Sequence, residues 1–386
     1  MYFAHKKVVY DKQLNNMRFM KKVLDSMYDW VRVIDMSGKV VFMNKAMRSY
    51  FKQHPSQMNF QEIFEMIPVS LTEEPVRDFD LITAALRNNE HDKEVRVGNK
   101  VFAVMSSPLK NNLEKTEFIV EVFRDVTRLK NMQRTITEQN DKFESDLDMA
   151  KMLQRKLLPG SSPNERIDFS YLYKPCDMLG GDFIDMYNIG NDHLGVYIAD
   201  VSGHGVAASI LTVFLRSTIS KRLTSPAKAL NALYKEFNVN NFESEVYITV
   251  FYAIYDLRNN MLTYANAGHN ATPVLYNKRN QEKQKFLHIP GIPISNWMEY
   301  PEYQECSVAI KPGDLLFLYT DGLSEIKNKD KEMFGQYRIN RILATCPKKD
   351  NTAMLDHLVE SAYSFGDIHN KSMLYDDITL SFVELR

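Results

Sequence analysis

The chain has 386 residues, with 48 basic against 49 acidic side chains, and this balance excludes a general electrostatic pull toward nucleic acid or an anionic membrane. Its length exceeds what a single hydrophobic core ordinarily supports, so two or three domains are expected. Cys176, Cys306 and Cys346 are far apart with no CxxC pair, which fits neither a disulfide framework nor a thiolate zinc site. No signal-type apolar segment opens the sequence and no run of about 18 apolar residues occurs in it, so a soluble cytoplasmic protein without a membrane span is expected.

Leu14, Met17, Met20, Leu24 and Met27 recur at three- and four-residue spacing, which predicts an amphipathic helix over 14–30. The period then changes to that of short strands at 30–35 and 40–44 around the turn signal Ser37-Gly38, followed by helix and loop to about residue 89. Three more strands are expected over 94–102, 102–107 and 118–124, completing an antiparallel sheet in an α+β module of about one hundred residues. The run Ile34-Asp35-Met36-Ser37-Gly38-Lys39-Val40-Val41-Phe42-Met43-Asn44-Lys45-Ala46 and the closing Phe123-Arg124-Asp125-Val126-Thr127 resemble the two ends of a PAS sensor domain. No residue identifies a ligand for it; His54 and His91 read as solvated loop histidines.

From Thr127 to Leu158 there is no Gly or Pro, and Leu129, Ile136, Phe143, Ala150 and Leu157 stand at seven-residue intervals, with Met132 and Leu153 beside them. That is a heptad seam, interrupted at Gln139 and Asp146. It predicts a dimeric coiled coil, the alternative being a single long helix packed on a neighbouring domain; Pro159 and Gly160 end it. The expected domains are therefore 1–126, a PAS-like sensor with its N-terminal helix; 127–160, a helical coiled-coil linker; and 161–386.

In the third segment, strands are expected at 193–200, 246–256, 261–267, 314–320 and 378–385, with β-branched and aromatic enrichment. A strongly apolar helix is expected over 206–223, and a second begins at Ser225-Pro226, an N-cap followed by a first-turn proline. The pattern suggests a β-sandwich flanked by helices.

Four aspartates of this segment lie at strand ends or in turns, beside glycine or a second acid: Gly180-Gly181-Asp182, Asp200-Val201-Ser202-Gly203, Thr320-Asp321-Gly322 and Asp376-Asp377. A strand end is rigid, and glycine lets a ligand approach the backbone. Clustered carboxylates without thiolates or paired histidines suit a hard divalent cation.

The ordered set Leu179-Gly180-Gly181-Asp182-Phe183-Ile184-Asp185, Ala199-Asp200-Val201-Ser202-Gly203-His204-Gly205, Tyr264-Ala265-Asn266-Ala267-Gly268-His269-Asn270, Pro312-Gly313-Asp314, Tyr319-Thr320-Asp321-Gly322 and Asp376-Asp377-Ile378-Thr379 resembles the SpoIIE-like branch of bacterial type-2C (PPM) serine phosphatases. With Leu153-Gln154-Arg155-Lys156-Leu157-Leu158-Pro159 ahead of it, the layout of sensor, helix and phosphatase is similar to that of the regulators acting on anti-anti-sigma factors in the general stress response. The resemblance covers about residues 150–386. It implies an αββα sandwich and two cations, Mn²⁺ or Mg²⁺, bridged by Asp200, with Asp182 on one side, Asp321 and Asp376 on the other, and the carbonyl of Val201 completing the set. Of the adjacent acids, Asp376 matches the ligand position and Asp377 stays the alternative. It further implies hydrolysis of a phosphoserine or phosphothreonine by direct attack of a hydroxide held between the cations, with no phosphoenzyme. The partner would be a phosphorylated anti-anti-sigma factor.

The pattern has gaps. Ser202 occupies the position where eukaryotic relatives carry a histidine acid, and His204 lies two residues on, so its part is either catalytic or a turn. His269 reads as a hydrogen-bonding residue of a sheet-edge turn. The arginine that holds substrate phosphate in eukaryotic relatives has no clear counterpart upstream of Asp182; Lys174 is the nearest cation and can act only as a point charge. Gly180-Gly181-Asp182-Phe183 also looks like a diguanylate cyclase signature, but the second acid is missing and the other three aspartate motifs would go unexplained. A pseudophosphatase that binds without turnover is the remaining alternative.

Overall fold

The structure, a computed structural model, describes residues 2–37, 39–53, 93–160, 164–298, 301–345, 350–369 and 374–386. His54, His91, Cys346 and the glycine of the Ser37-Gly38 turn lie outside the described residues. The chain divides into two compact units, Met1–Lys142 and Phe143–Arg386.

In the first unit, helix α1 (Tyr2–Ser26) precedes β1 (Trp30–Asp35), β2 (Val40–Met43) and α2 (Lys45–Gln53); β3 (Lys93–Val97), β4 (Lys100–Lys110) and β5 (Thr116–Asp125) follow. The five strands form one antiparallel sheet in the order β2-β1-β5-β4-β3. The expected strand over 94–102 is instead a tight hairpin, because Gly98 takes a positive φ of 60° and turns the chain between β3 and β4. The helix expected over 14–30 begins earlier and ends at Ser26.

One face of this sheet is apolar. Trp30, Phe102, Val104 and Phe123 pack there with Met47 and Phe51 of α2. Between them Arg32 and Glu121, opposite each other in the β1–β5 register, form an ion pair that is 1% and 0% exposed. The closing Asp125-Val126-Thr127 starts the next helix. Asp125 accepts the amide and hydroxyl hydrogens of Thr127 at 3.1 and 2.6 Å, and Thr127 Oγ1 accepts the amide of Val101 at 2.8 Å. That helix, α3, runs Thr127–Leu157 and contains the boundary between the units.

The second unit is built on two five-stranded sheets. β7 (Phe183–Ile189), β8 (His193–Val201), β9 (Ile248–Asp256), β10 (Met261–Ala267) and β13 (Cys306–Ala309) make the first, in the order β13-β10-β9-β8-β7. β6 (Ile167–Lys174), β11 (Val274–Asn277), β12 (Asn280–Phe286), β14 (Asp314–Tyr319) and β15 (Ile378–Leu385) make the second, in the order β12-β11-β14-β15-β6. Val196, Ile198, Phe251, Leu316, Leu318 and Val383 fill the space between them.

Each sheet has helices on its outer face. α4 (Val206–Thr218) and α5 (Pro226–Val239) cover the first through Leu215, Leu230, Leu233 and Phe237, which meet Tyr197 and Tyr252. A one-turn α6 (Asp321–Ser324), α7 (Gly335–Thr345) and α8 (Asn351–Gly366) belong to the second, where Leu355 and Leu358 meet Phe317 and Phe382. Central strands are therefore buried on both faces and read as unbroken apolar runs rather than alternating ones. α4 stops at Thr218, short of the expected end at 223. Ser225 caps α5 as expected, its hydroxyl accepting the amide of Lys228 at 3.2 Å.

Candidate active site

The antiparallel registers bring four strand ends to one edge of the sandwich. Phe183 pairs with Ala199 and Tyr319 with Leu380, so the start of β7 lies beside the end of β8, and the start of β15 beside the end of β14. Asp182, Asp200, Asp321 and Asp376 each sit at one of these ends. They form a gradient from the interior outward: Asp182 is buried, Asp200 and Asp321 are half-buried, and Asp376 is exposed.

Asp182 is fixed from the other sheet. Thr320, fully buried, donates its hydroxyl to Asp182 Oδ2 at 2.7 Å and accepts the amide of Thr379 at 3.0 Å. Val201 donates its amide to the carbonyl of Gly181 at 3.3 Å, closing the start of β7 onto the end of β8. Thr249 holds Asp200 from β9, its hydroxyl donating to the Asp200 carbonyl at 3.3 Å.

The carboxylates work against one another. Burial and then Asp200 and Asp377 raise the pKa of Asp182 well above the ordinary range. Burial, reinforced by Asp321, Asp376 and Asp377, pushes Asp200 up to about 8. Asp321 rises to about 6 through burial, Asp376 and Glu325. Asp376, although its residue is exposed at the rim, is raised chiefly by partial desolvation of its carboxyl, while His204 acts on it in the opposite direction. Among the described residues no three acidic, histidine or cysteine side chains are drawn in tightly enough to cage an ion as they stand. Mutual repulsion of this kind keeps carboxylates apart until positive charge enters between them. The donors are all hard oxygens, so the set fits divalent cations such as Mg²⁺ or Mn²⁺.

The other residues singled out in the sequence have different places. His269 is buried and bridges the sheets, its Nε2 hydrogen-bonding the Tyr319 carbonyl at 2.9 Å and its Nδ1 lying 3.4 Å from Thr249 Oγ1. Burial depresses its pKa to about 4, so it stays neutral. Ser202 is a loop residue: its amide donates to the Tyr247 carbonyl and its hydroxyl accepts the Tyr247 amide, both at 3.0 Å. Asp185 faces Lys221 at 3.1 Å and Arg216 at 3.5 Å. The ammonium of Lys174 lies 5.2 Å above the Tyr363 ring, so it is engaged there rather than aimed at the carboxylates.

Several residues here carried no separate signal in the sequence. Thr320 and Thr379 lie inside quoted motifs but without assigned parts. Gln154, at a polar position of α3, is buried and donates Nε2 to the Gly180 carbonyl at 2.7 Å, while its Oε1 accepts from Tyr173 Oη at 3.2 Å and the Gly180 amide at 3.3 Å. Gln154 stands one place past Leu153, off the heptad seam, so the seam gives it no part. Only the fold shows that it grips the Gly-Gly-Asp turn.

Residues 190–386, about half of the chain, match the family model described as Stage II sporulation protein E (SpoIIE). The chain belongs to the SpoIIE family. Among curated relatives it is 26% identical to Protein IcfG of Synechocystis sp. over 285 residues, 65% of this chain and 44% of that protein. It is 28% identical to Phosphoserine phosphatase RsbP of Bacillus subtilis over 186 residues, 47% of this chain and 45% of that one. The chain thus spans less than half the length of either relative. Among solved structures, the SiaA-PP2C domain of Pseudomonas aeruginosa superposes with a TM-score of 0.55 at 22% identity, over 64% of this chain and 99% of that domain. That likeness establishes a PP2C-type fold for the SpoIIE segment.

Proposed function

We propose that the second unit is a metal-dependent protein serine/threonine phosphatase acting on a phosphorylated partner protein. The observation that carries this reading is the convergence of Asp182, Asp200, Asp321 and Asp376 from both sheets on one edge, where Asp200 raises the pKa of Asp182, Asp321 and Asp376 raise that of Asp200, and Asp376 raises that of Asp321. These four side chains, with the Val201 carbonyl, would hold two cations, Mn²⁺ or Mg²⁺, with Asp200 between them. When bound, such a pair neutralises phosphoryl oxygens and lowers the pKa of a coordinated water.

The chain's own contribution is position. Thr320 holds one oxygen of Asp182, Thr249 holds the backbone of Asp200, and the donors are carried on rigid strand ends. Asp376 is favoured over Asp377 because the latter is committed to backbone amides. No side chain is assigned as nucleophile. Filled acidic positions speak against a binding-only pseudophosphatase, and the name of RsbP, a phosphoserine phosphatase, supports turnover. A phosphorylated anti-anti-sigma factor is the proposed partner, on the resemblance of layout.

For the first unit we propose a PAS-like sensor, supported by the five-stranded antiparallel sheet with one apolar face. Leu129, Met132, Ile136, Phe143 and Leu153 of α3 are all more than half exposed in the single chain, which supports pairing of this helix with a second copy. Because Gln154 of the same helix grips Gly180, a shift of α3 would reach the Asp182 turn.

The test is phosphate release from phosphoserine partner proteins with Mn²⁺ added. Wild type should release phosphate and Asp200→Asn should not. Equal, negligible rates from every partner tried would sink the enzyme reading.

A further inference from the structure

Asp376 and Asp377 are neighbours in sequence, and the fold uses them in opposite ways. Asp376 is exposed on the rim, its Oδ1 accepting the amide of Asp377 at 2.8 Å. Asp377 is 3% exposed, and both of its oxygens are occupied. Oδ1 accepts the amide of Cys176 at 2.7 Å; Oδ2 accepts the amide of Gly181 at 2.6 Å and lies 3.4 Å from that of Asp182. One carboxylate therefore spans the loop between β6 and β7 and ends on the residue pair that presents Asp182.

The packing around it is equally tight. A Cβ on Gly180 would lie 2.6 Å from Asp377 Oδ2 and 2.4 Å from Tyr173 Oη, and one on Gly181 would lie 2.9 Å from the Val201 carbonyl oxygen. A Cβ on Gly322 would fall 1.9 Å from the carbonyl oxygen of Asp377. The side chain of Asp377 thus seats the Gly180-Gly181-Asp182 turn while its backbone seats the Asp321-Gly322 turn. With Asp376 next to it in sequence, this one residue touches or adjoins three of the four segments that carry the acidic edge.

We propose that Asp377 is the positioning residue of this edge: it fixes the turns bearing Asp182 and Asp321 and does not itself ligate a cation. The proposal deepens the two-cation reading and rests on it. Charge-assisted bonds from a carboxylate to backbone amides are short and directional, and a neutral amide at the same place would turn a donor toward the donor of Gly181 or Cys176. Partners that orient metal ligands typically contribute 10–100-fold in metal affinity.

The experiment uses the full chain and two readouts. Mn²⁺ binding is titrated calorimetrically for wild type, Asp377→Asn, Asp376→Asn and Gly180→Ala. Amide hydrogen exchange across 176–182 is measured on the same proteins without metal. Asp377→Asn should keep the wild-type number of Mn²⁺ sites, bind them about 10–100-fold more weakly, and exchange faster at Gly181. Asp376→Asn should lose a Mn²⁺ equivalent and leave exchange at Gly181 unchanged. Gly180→Ala, which presses on the same clamp with Asp377 retained, should reproduce the Asp377→Asn pattern and serves if that variant does not fold. A lost Mn²⁺ equivalent in Asp377→Asn with unchanged exchange would make Asp377 a ligand and overturn the proposal. Unchanged affinity and exchange in that variant would overturn it too. A wild-type chain that takes up no Mn²⁺ refutes the two-cation reading instead, while exchange at Gly181 still tests the clamp.

Discussion

Removing metal should make the wild-type second unit less stable than its own Asp200→Asn variant at neutral and alkaline pH. Asp200 keeps its proton up to about pH 8 in the folded chain, against an ordinary value of 3.8. A folded-state pKa raised above the unfolded one means that the folded protein binds more protons between those values, so stability falls as pH rises through the window from about 4 to 8. Titrating alone, Asp200 would cost about 5 kcal/mol by pH 8. The repulsion is shared with Asp321 and Asp376, and solvent reaches the rim, which reduces the measurable loss to about 2–3 kcal/mol. Asparagine in the same place is neutral at every pH and escapes the loss. The assay is urea unfolding of EDTA-treated wild type and Asp200→Asn at about pH 5 and pH 8, followed by a fluorescence signal from the second unit, since a two-unit chain need not unfold in one step. The variant should gain on wild type as pH rises, and Mn²⁺ should restore wild type alone. A stability difference that is the same at both pH values would refute the reasoning.

Other expectations follow from single contacts. Thr320→Val keeps shape but removes the hydrogen bond to Asp182 and leaves the Thr379 amide without its acceptor; unfolding free energy should drop by about 2–4 kcal/mol, and calorimetry should show weaker Mn²⁺ binding. Gln154→Ala frees the Gly180 peptide from α3; it should lower stability by about 1–2 kcal/mol and slow phosphate release, whereas unchanged turnover would show that α3 does not act on the turn. Phe143→Glu at the exposed seam should shift the chain from dimer to monomer in light scattering, and a dimer that persists would remove α3 as the interface. One residue inserted near Asn140 turns the helix phase by about 100°; if phosphate release and its response to signal are unaffected, the helix is only a tether. Leu318→Ala in the core between the sheets should cost about 2–5 kcal/mol in urea unfolding.

Much of the second unit was legible without coordinates because its information is local. Turn chemistry marked the aspartates, Ser225-Pro226 marked the start of α5, and β-branched and aromatic runs marked β8, β9, β10, β14 and β15. Five strands, β6, β7, β11, β12 and β13, were not expected, and for two of them the reason is plain. β7 follows directly on the Gly-Gly-Asp turn, and its Asp185 hides the apolar run; β12 is wholly polar or charged apart from its last residue, as an edge strand can be. Residues 94–102 read as one strand because a single glycine turn between two β-rich runs leaves the alternation almost intact.

Residue type and order alone determined that four aspartates stand beside glycines or acids at predicted strand ends, and this is enough to name hard oxygen donors, since ligand preference is a property of the side chain. Which acid of the pair Asp376-Asp377 meets the edge is decided only by tertiary structure. The two differ by one position along the chain, in the bend that leads into β15, and there one carboxylate lies exposed at the rim while the other is buried on the amides of Cys176 and Gly181. The same holds for Gln154, which is a polar residue beside the heptad seam and a clamp once Gly180 is folded against it. Partners from distant parts of the chain set these assignments, and no local pattern encodes them.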